Sequence, residues 1–313
     1  VKESNYKLIK SADFPHELLG AINSSKKRIV VSVMAAYCDP ATEVIFDAIL
    51  RALKRGVKVE IYLDCYCKSL RSEGIVQQLK YGRKNRDYFR RYVALGAKIV
   101  WLGRVGLNPF AGRIHQKIYL VDDIAMLGGI NLDFEKPKND LMMRINSGRL
   151  VKWLTGRLGE LATKGELTQQ RFVVDDETTV LFDSHANSPI YDTFCQLATS
   201  AKKVRVSSRM CPSGPAMSIL AGKNTKYYFN PIKFMFVTTK LAIWLDLRKY
   251  RIKNSYNGDK YLHAKVAMFD DKAVIVGSNN FNYRGVQWRT TEVAVISSDK
   301  KLVSSVSQFF ASL

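Results

Sequence analysis

Two stretches of the chain carry residues whose types and spacing suit phosphate chemistry. Residues 115–131 read HQKIYLVDDIAMLGGIN and residues 263–280 read HAKVAMFDDKAVIVGSNN. Each is a His-x-Lys pair, an apolar run, an Asp-Asp turn, a second apolar run and an exit ending in Asn. Side chains alternate across a strand, so His115 and Lys117 share one face, as do His263 and Lys265. Asn131 and Asn280 return on the partner strand, where an amide can donate to a phosphate oxygen. Two lysines and two asparagines converging on one point would accommodate a dianion without a metal. One histidine could then attack phosphorus while the other protonates the leaving oxygen. Such acid–base help is worth about 10²–10⁴-fold in rate, and a covalent intermediate divides the displacement into two easier steps.

Asp122 and Asp270 stand an odd number of residues past their histidines, which puts them on the opposite face at the strand end. They are read as fixing the hairpin turn or holding a neighbouring strand. A lone His on an apolar strand is usually a packed core residue. Here two of only four histidines occupy equivalent places in a duplicated strand–turn–strand, and the duplication favours function. His16 and His185 have no such context.

The elements around these motifs also repeat. Residues 26–33 (KKRIVVSV) and 202–207 (KKVRVS) each read as a buried strand after a helix and a basic turn. Residues 41–55 have helical periodicity, Gly56 caps them, and 57–63 (VKVEIYL) is a strand, which together make a βαβ unit. Residues 82–95 form a basic helix and 97–102 a further strand. The expected fold is α/β: two pseudo-symmetric halves, each a mixed, mostly parallel sheet flanked by helices. The expected halves are 1–160 and 161–313, with residues 66–113 an elaboration of the first. A monomer whose halves share one site follows, with no obligate protein partner.

The chain has 313 residues, a formal net charge of +21 and 47% hydrophobic residues. That charge repels itself in a compact state, and its use is attraction to a polyanion, an anionic membrane surface or nucleic acid. The best apolar stretch, 231–245, is interrupted by Lys233 and Lys240, short of the roughly 20 residues a spanning helix needs. No signal-peptide pattern opens the chain. Its first residue is Val1, so an upstream anchor or leader is left open. Five cysteines without framework spacing read as reduced, buried thiols and no metal site, which suits the cytoplasmic side of a membrane.

The two motifs resemble the phospholipase D superfamily signature, H-x-K-x4-D-x6-G-S-x-N in duplicate. The second copy matches throughout, with His263, Lys265, Asp270, Gly277, Ser278 and Asn280. The first matches at His115, Lys117, Asp122 and Asn131 but has Gly128-Gly129 in place of Gly-Ser and is one residue shorter. Its GGIN exit looks like bacterial cardiolipin synthases. The resemblance implies metal-independent, cofactor-free phosphodiester transfer through a phosphohistidine. His115 would be the nucleophile, and His263 the acid and then the base. Ser278 would join Asn131 and Asn280 on the phosphate, and a backbone N–H would replace the hydroxyl missing at Gly129. It also implies an acidic residue downstream of each motif that orients an imidazole. Asp140 and Glu292 stand at the matching places, preferably crossed, Asp140 to His263 and Glu292 to His115. Asp133 and Glu135 are alternatives for the first copy.

Two basic runs offer binding surfaces: Arg83, Lys84, Arg86, Arg90 and Arg91, then Arg248, Lys249, Arg251 and Lys253. Aromatic residues interleave with them (Tyr88, Phe89, Tyr227, Tyr228, Phe229, Phe234, Phe236, Trp244, Tyr250). An interfacial surface on anionic lipid is the sharper reading, each Lys or Arg near a leaflet being worth roughly 1 kcal/mol. A solvated basic helix face over an ordinary core is the plainer one. Three functions compete: phosphatidyl transfer to an alcohol or water, nucleic-acid cleavage by the same pocket, and a catalytically dead polyanion binder. The cardiolipin synthase-like exit favours the first.

Overall fold

The computed structural model describes residues 5–65, 75–103, 111–136, 138–231 and 237–313. The first half runs β1 (Tyr6–Lys10), α1 (Phe14–Ser24), β2 (Arg28–Val33), α2 (Glu43–Lys54), β3 (Lys58–Asp64), α3 (Ile75–Ala94) and β4 (Lys98–Leu102). It continues through β5 (Ile118–Val121), β6 (Ile124–Gly128), β7 (Lys138–Asn139), β8 (Leu141–Asn146) and α4 (Gly148–Thr163). The second half runs β9 (Arg171–Val173), β10 (Thr178–Phe182), α5 (Pro189–Ser200), β11 (Lys203–Ser207), α6 (Pro215–Ala221), β12 (Asn224–Tyr228) and α7 (Val237–Lys249). β13 (Tyr261–Leu262), β14 (Lys265–Phe269), β15 (Ala273–Gly277), α8 (Tyr283–Gln287), β16 (Val293–Ser297) and α9 (Lys300–Ala311) complete it.

Each half builds a seven-stranded sheet, β1-β8-β6-β5-β2-β3-β4 and β12-β11-β14-β15-β16-β10-β9. Six strands correspond one to one; β4 extends the first sheet and β9 the second. Both sheets are mixed, but the expected parallel majority is wrong. Only β2–β3 and β3–β4 run parallel in the first sheet, and only β11–β12 in the second. The βαβ units supply those pairs. The motif strands return as hairpins, β5–β6 and β14–β15, and bring antiparallel neighbours with them.

Central strands β6 and β8 pack against β15 and β16. The core between the sheets gathers Leu120, Leu127, Val266 and Val276 with Leu154 of α4 and Val306 of α9. Two outer cores lie under the flanking helices, one including Phe46, Tyr88 and Tyr92, the other Phe194, Phe229 and Phe281. The aromatics expected to interleave with basic residues at an interface therefore divide. Tyr88, Tyr227, Tyr228 and Phe229 are buried core residues, whereas Trp244 is exposed. Phe234 and Phe236 lie outside the described residues. Cys38 and Cys211 are buried as expected, but Cys65 and Cys195 are only half-buried.

The hairpin-turn aspartates do structural work. Asp122, at φ +50°, accepts from the backbone N–H groups of Lys26, Lys27 and Arg28 at 2.8–3.0 Å, pinning the start of β2. Asp270 repeats this on Lys202 and Lys203 at the start of β11. The turn lies seven residues from the histidine, about 23 Å of extended chain at roughly 3.3 Å per residue.

Candidate active site

His115 and Lys117 lie on the segment leading into β5, and His263 immediately precedes β14. Each histidine is held by the opposite half. The backbone N–H of His115 donates to Thr291 O at 2.9 Å, and its Nδ1 lies 2.8 Å from Glu292 Oε1. The backbone N–H of His263 donates to Asn139 O at 2.8 Å, and its Nδ1 lies 2.5 Å from Asp140 Oδ2. Two-stranded pairing of β7 with β13 and an Ile114–Thr291 bridge tie the halves together at these points. The crossed arrangement is thus present. Asp133 instead pairs with Lys138 at 3.0 Å and Glu135 with Lys80 at 2.7 Å.

Both lysines are buried, and each ammonium donates to the backbone carbonyl of its own motif's histidine. One N–H of three is used, which leaves donors for substrate oxygens. Burial lowers Lys117 to about 8, against the pull of Glu292 and Asp140, and it lowers Lys265 further from the usual value. Both imidazoles are held well below the ordinary histidine value, first by burial and then by cations that include Lys117 and Lys265 from the two halves. Cations of both motifs therefore lie close enough to act on each ring. Burial also raises the carboxyl of Glu292 to about 7 and that of Asp140 above its usual range. The site without substrate therefore resists charge of either sign, and an anionic phosphate would offset its cations.

The serine of the second motif has a different place from the one expected. The Ser278 hydroxyl is fully buried and donates to Glu292 while accepting from the Val293 N–H at 3.0 Å. There it steadies the carboxylate. The first half has no room for that arrangement, since a β-carbon on Gly129 would meet the Asp140 carboxylate. Asn280 accepts from the Ser208 hydroxyl through its backbone carbonyl at 2.8 Å. Asn131 carries a buried Oδ1 with no hydrogen-bond partner.

Several contributors carry no signal in the repeat. Thr291 and Asn139 act through their carbonyls. Gln116 joins the halves by accepting from the Thr291 hydroxyl at 2.6 Å and donating to Ser32 at 3.1 Å. Arg209, just past β11, is near enough to lower both histidines. Its counterpart in the first half is Met34, so internal symmetry could not reveal it.

The family model described as "Cardiolipin synthase, PLD-like domain" matches residues 18–161 and 179–313. The chain belongs to this family. Cardiolipin synthase B proteins of Salmonella typhimurium and Salmonella typhi are each 33% identical over 117 residues, 37% of this chain. That match spans only 26% of either relative's length. Among solved structures, phosphatidylserine synthase from Haemophilus influenzae superposes with a TM-score of 0.76 at 16% identity, covering 99% of this chain and 86% of that one. A polyphosphate kinase from Porphyromonas gingivalis gives 0.64 at 13% identity, covering 97% and 49%. At such identities the two structures show a shared fold. The family's PLD-like match falls on both halves and contains both His-x-Lys motifs.

Proposed function

We propose that the protein transfers phosphatidyl groups from a phospholipid to an alcohol through a phosphohistidine, without a metal ion. The observation that carries this reading is the reciprocal pairing of two imidazoles with carboxylates across the seam, beside two buried lysines. With Nδ1 turned to Glu292, His115 keeps Nε2 for phosphorus. Its attack forms a P–N bond and breaks the P–O bond to the leaving alcohol, which takes a proton from His263. The acceptor then gives its hydroxyl proton to His263 and attacks phosphorus, and the P–N bond breaks to restore His115. Lys117 and Lys265 balance the phosphoryl charge, the role a metal would otherwise fill.

The lipid-facing surface in this reading includes α7. Ile243 and Leu247 pack on the core, while Trp244 and Leu245 are 39% and 52% exposed. Arg248 sits 4.0 Å from the Trp244 ring centroid, and Lys249 follows. An exposed Trp and Leu beside cations suit an anionic bilayer interface. No helix among the described residues is long and apolar enough to cross a membrane.

The decisive experiment uses a phosphatidyl p-nitrophenyl ester, whose leaving group needs no acid. His115→Ala should release no p-nitrophenol. His263→Ala should release one equivalent and accumulate a phosphohistidine, because the acceptor lacks its base. A labelled adduct on His263 in the His115→Ala protein would reverse the roles, and no adduct in either would refute the covalent route. Nicking of plasmid DNA without any lipid product would move the substrate to nucleic acid.

A further inference from the structure

β3 and β12 occupy equivalent places, with Ser32 opposite Tyr62 in the first sheet and Ser207 opposite Tyr228 in the second. One strand separates each from its motif strand: β2 lies between β3 and β5, and β11 between β12 and β14. Two residues past those tyrosines stand Asp64 and Asn230, both buried. Asp64 Oδ2 accepts from the Ile114 N–H at 2.5 Å, and Asn230 Oδ1 accepts from the Leu262 N–H at 2.9 Å. Ile114 and Leu262 each immediately precede a motif histidine. Along an extended chain successive N–H groups point to opposite sides. The N–H groups of His115 and His263 accordingly turn the other way, to Thr291 O and Asn139 O of the opposite half. Each histidine is thus gripped from its own half and from the other.

The two anchors differ in charge. Asp64 also pairs with the buried Arg113 at 2.9 Å. The Arg113 carbonyl accepts from the Thr291 N–H at 2.9 Å, so this anchor bears on His115 and on the residue beside Glu292. Asn230 is neutral, and its amide nitrogen donates to Leu262 O at 2.6 Å and Arg209 O at 3.0 Å. It therefore holds both backbone groups of Leu262. The ladders β2–β5 and β11–β14 end at Ile118 and Val266, short of either histidine. A side chain from the next strand over takes the place of the missing ladder bond.

We propose that Asp64 and Asn230 are positioning residues for separate steps, Asp64 for attack by His115 and Asn230 for proton transfer by His263. The division of steps rests on the histidine roles proposed above. The test uses saturating excess protein, a phosphatidyl p-nitrophenyl ester labelled in its acyl chains, and glycerol as the alcohol. Release of p-nitrophenol, which needs no acid, reads attack by His115, and labelled glycerol ester reads the second step. Both are single-turnover rate constants, so the folded fraction does not set them. Asp64→Asn/Arg113→Met and Asp64→Leu/Arg113→Met both avoid a lone buried charge and differ in the acceptor for the Ile114 N–H. Release should be about tenfold or more slower in the variant with Leu, as expected for a misplaced nucleophile. Asn230→Leu should slow glycerol ester formation by about tenfold or more beyond any change in release, the loss of a well-placed base. Equal release from the two double variants, or Asn230→Leu slowing both steps alike, would overturn the anchoring roles and leave the phosphohistidine standing. No p-nitrophenol release from the wild type would overturn the phosphohistidine reading and the division of steps with it.

Discussion

A β-carbon on Gly129 would lie 2.1 Å from Asp140 Oδ1, so any side chain at 129 must displace the Asp140 carboxylate. The equivalent positions of the second half hold Ser278 with Glu292, joined by a hydrogen bond. The longer acid comes with the side chain that supports it, and the shorter acid with no side chain.

Gly129→Ser should therefore displace Asp140 and misalign His263. The expected cost is about 10²-fold in kcat, as for other displacements near 1 Å. Adding Asp140→Glu recreates the second-half pair and should recover part of the loss. Steady-state rates for the two single variants and the double, treated as a double-mutant cycle, check this. A double variant no faster than the singles multiplied together counts against the coupling.

Activity should also fall on the alkaline side. Burial lowers Lys117 to about 8, so in the free protein its charge is present below that pH and lost above it. A pH profile of kcat/KM, which reports the free enzyme, should decline above about pH 8. Lys117→Arg, which stays charged throughout, should lose that alkaline limb even at a lower absolute rate. A limb that persists in Lys117→Arg belongs to another group.

The same burial has a cost in stability. The folded value for Lys117 lies below its ordinary 10.5, so the unfolded chain binds the extra proton between about pH 8 and 10.5. The penalty is full below that window and fades as the pH rises through it. Lys117→Met should raise the thermal midpoint at pH 7, worth about 1–3 kcal/mol, while abolishing transfer. The gain should narrow by pH 10. Melting curves at both values, with an unchanged difference between them, would dismiss the buried-charge account.

Asp122→Ala removes the acceptor for three backbone N–H groups at the start of β2. We expect a loss of about 1–3 kcal/mol in urea unfolding, with the folded fraction still transferring at near the parent rate. A large fall in kcat at unchanged stability would give Asp122 a direct part in the chemistry.

The duplicated motif made the histidines and the lysines legible, because a repeat fixes equivalent positions without reference to the rest of the fold; the crossed acids were legible only through the family resemblance. The alternation argument likewise sent Asp122 and Asp270 to the far turn. Strand direction was less legible. The βαβ units of β2–β3 and β11–β12 are local in sequence, whereas the antiparallel partnerships of β1 with β8 and β10 with β16 join distant residues. Helical periodicity showed that Tyr88 and Phe89 lie on a basic helix but not which face meets the core. Ser278 was misplaced for a related reason. The resemblance puts it on the phosphate, but its hydroxyl is claimed by a carboxylate fourteen residues on.

Because Glu292 serves His115 and Asp140 serves His263, the halves stand to each other as the subunits of a symmetric dimer do, each lending its partner what it lacks. Cut at the seam, either fragment would keep an imidazole and forfeit the acid that orients it. Two copies of one fragment, docked as the halves are now, would make good both losses at once. A chain with one motif could thus have worked only as a pair. Two such copies joined end to end are free to differ, and Gly129 with Asp140 and Ser278 with Glu292 are two solutions at one place in the repeat.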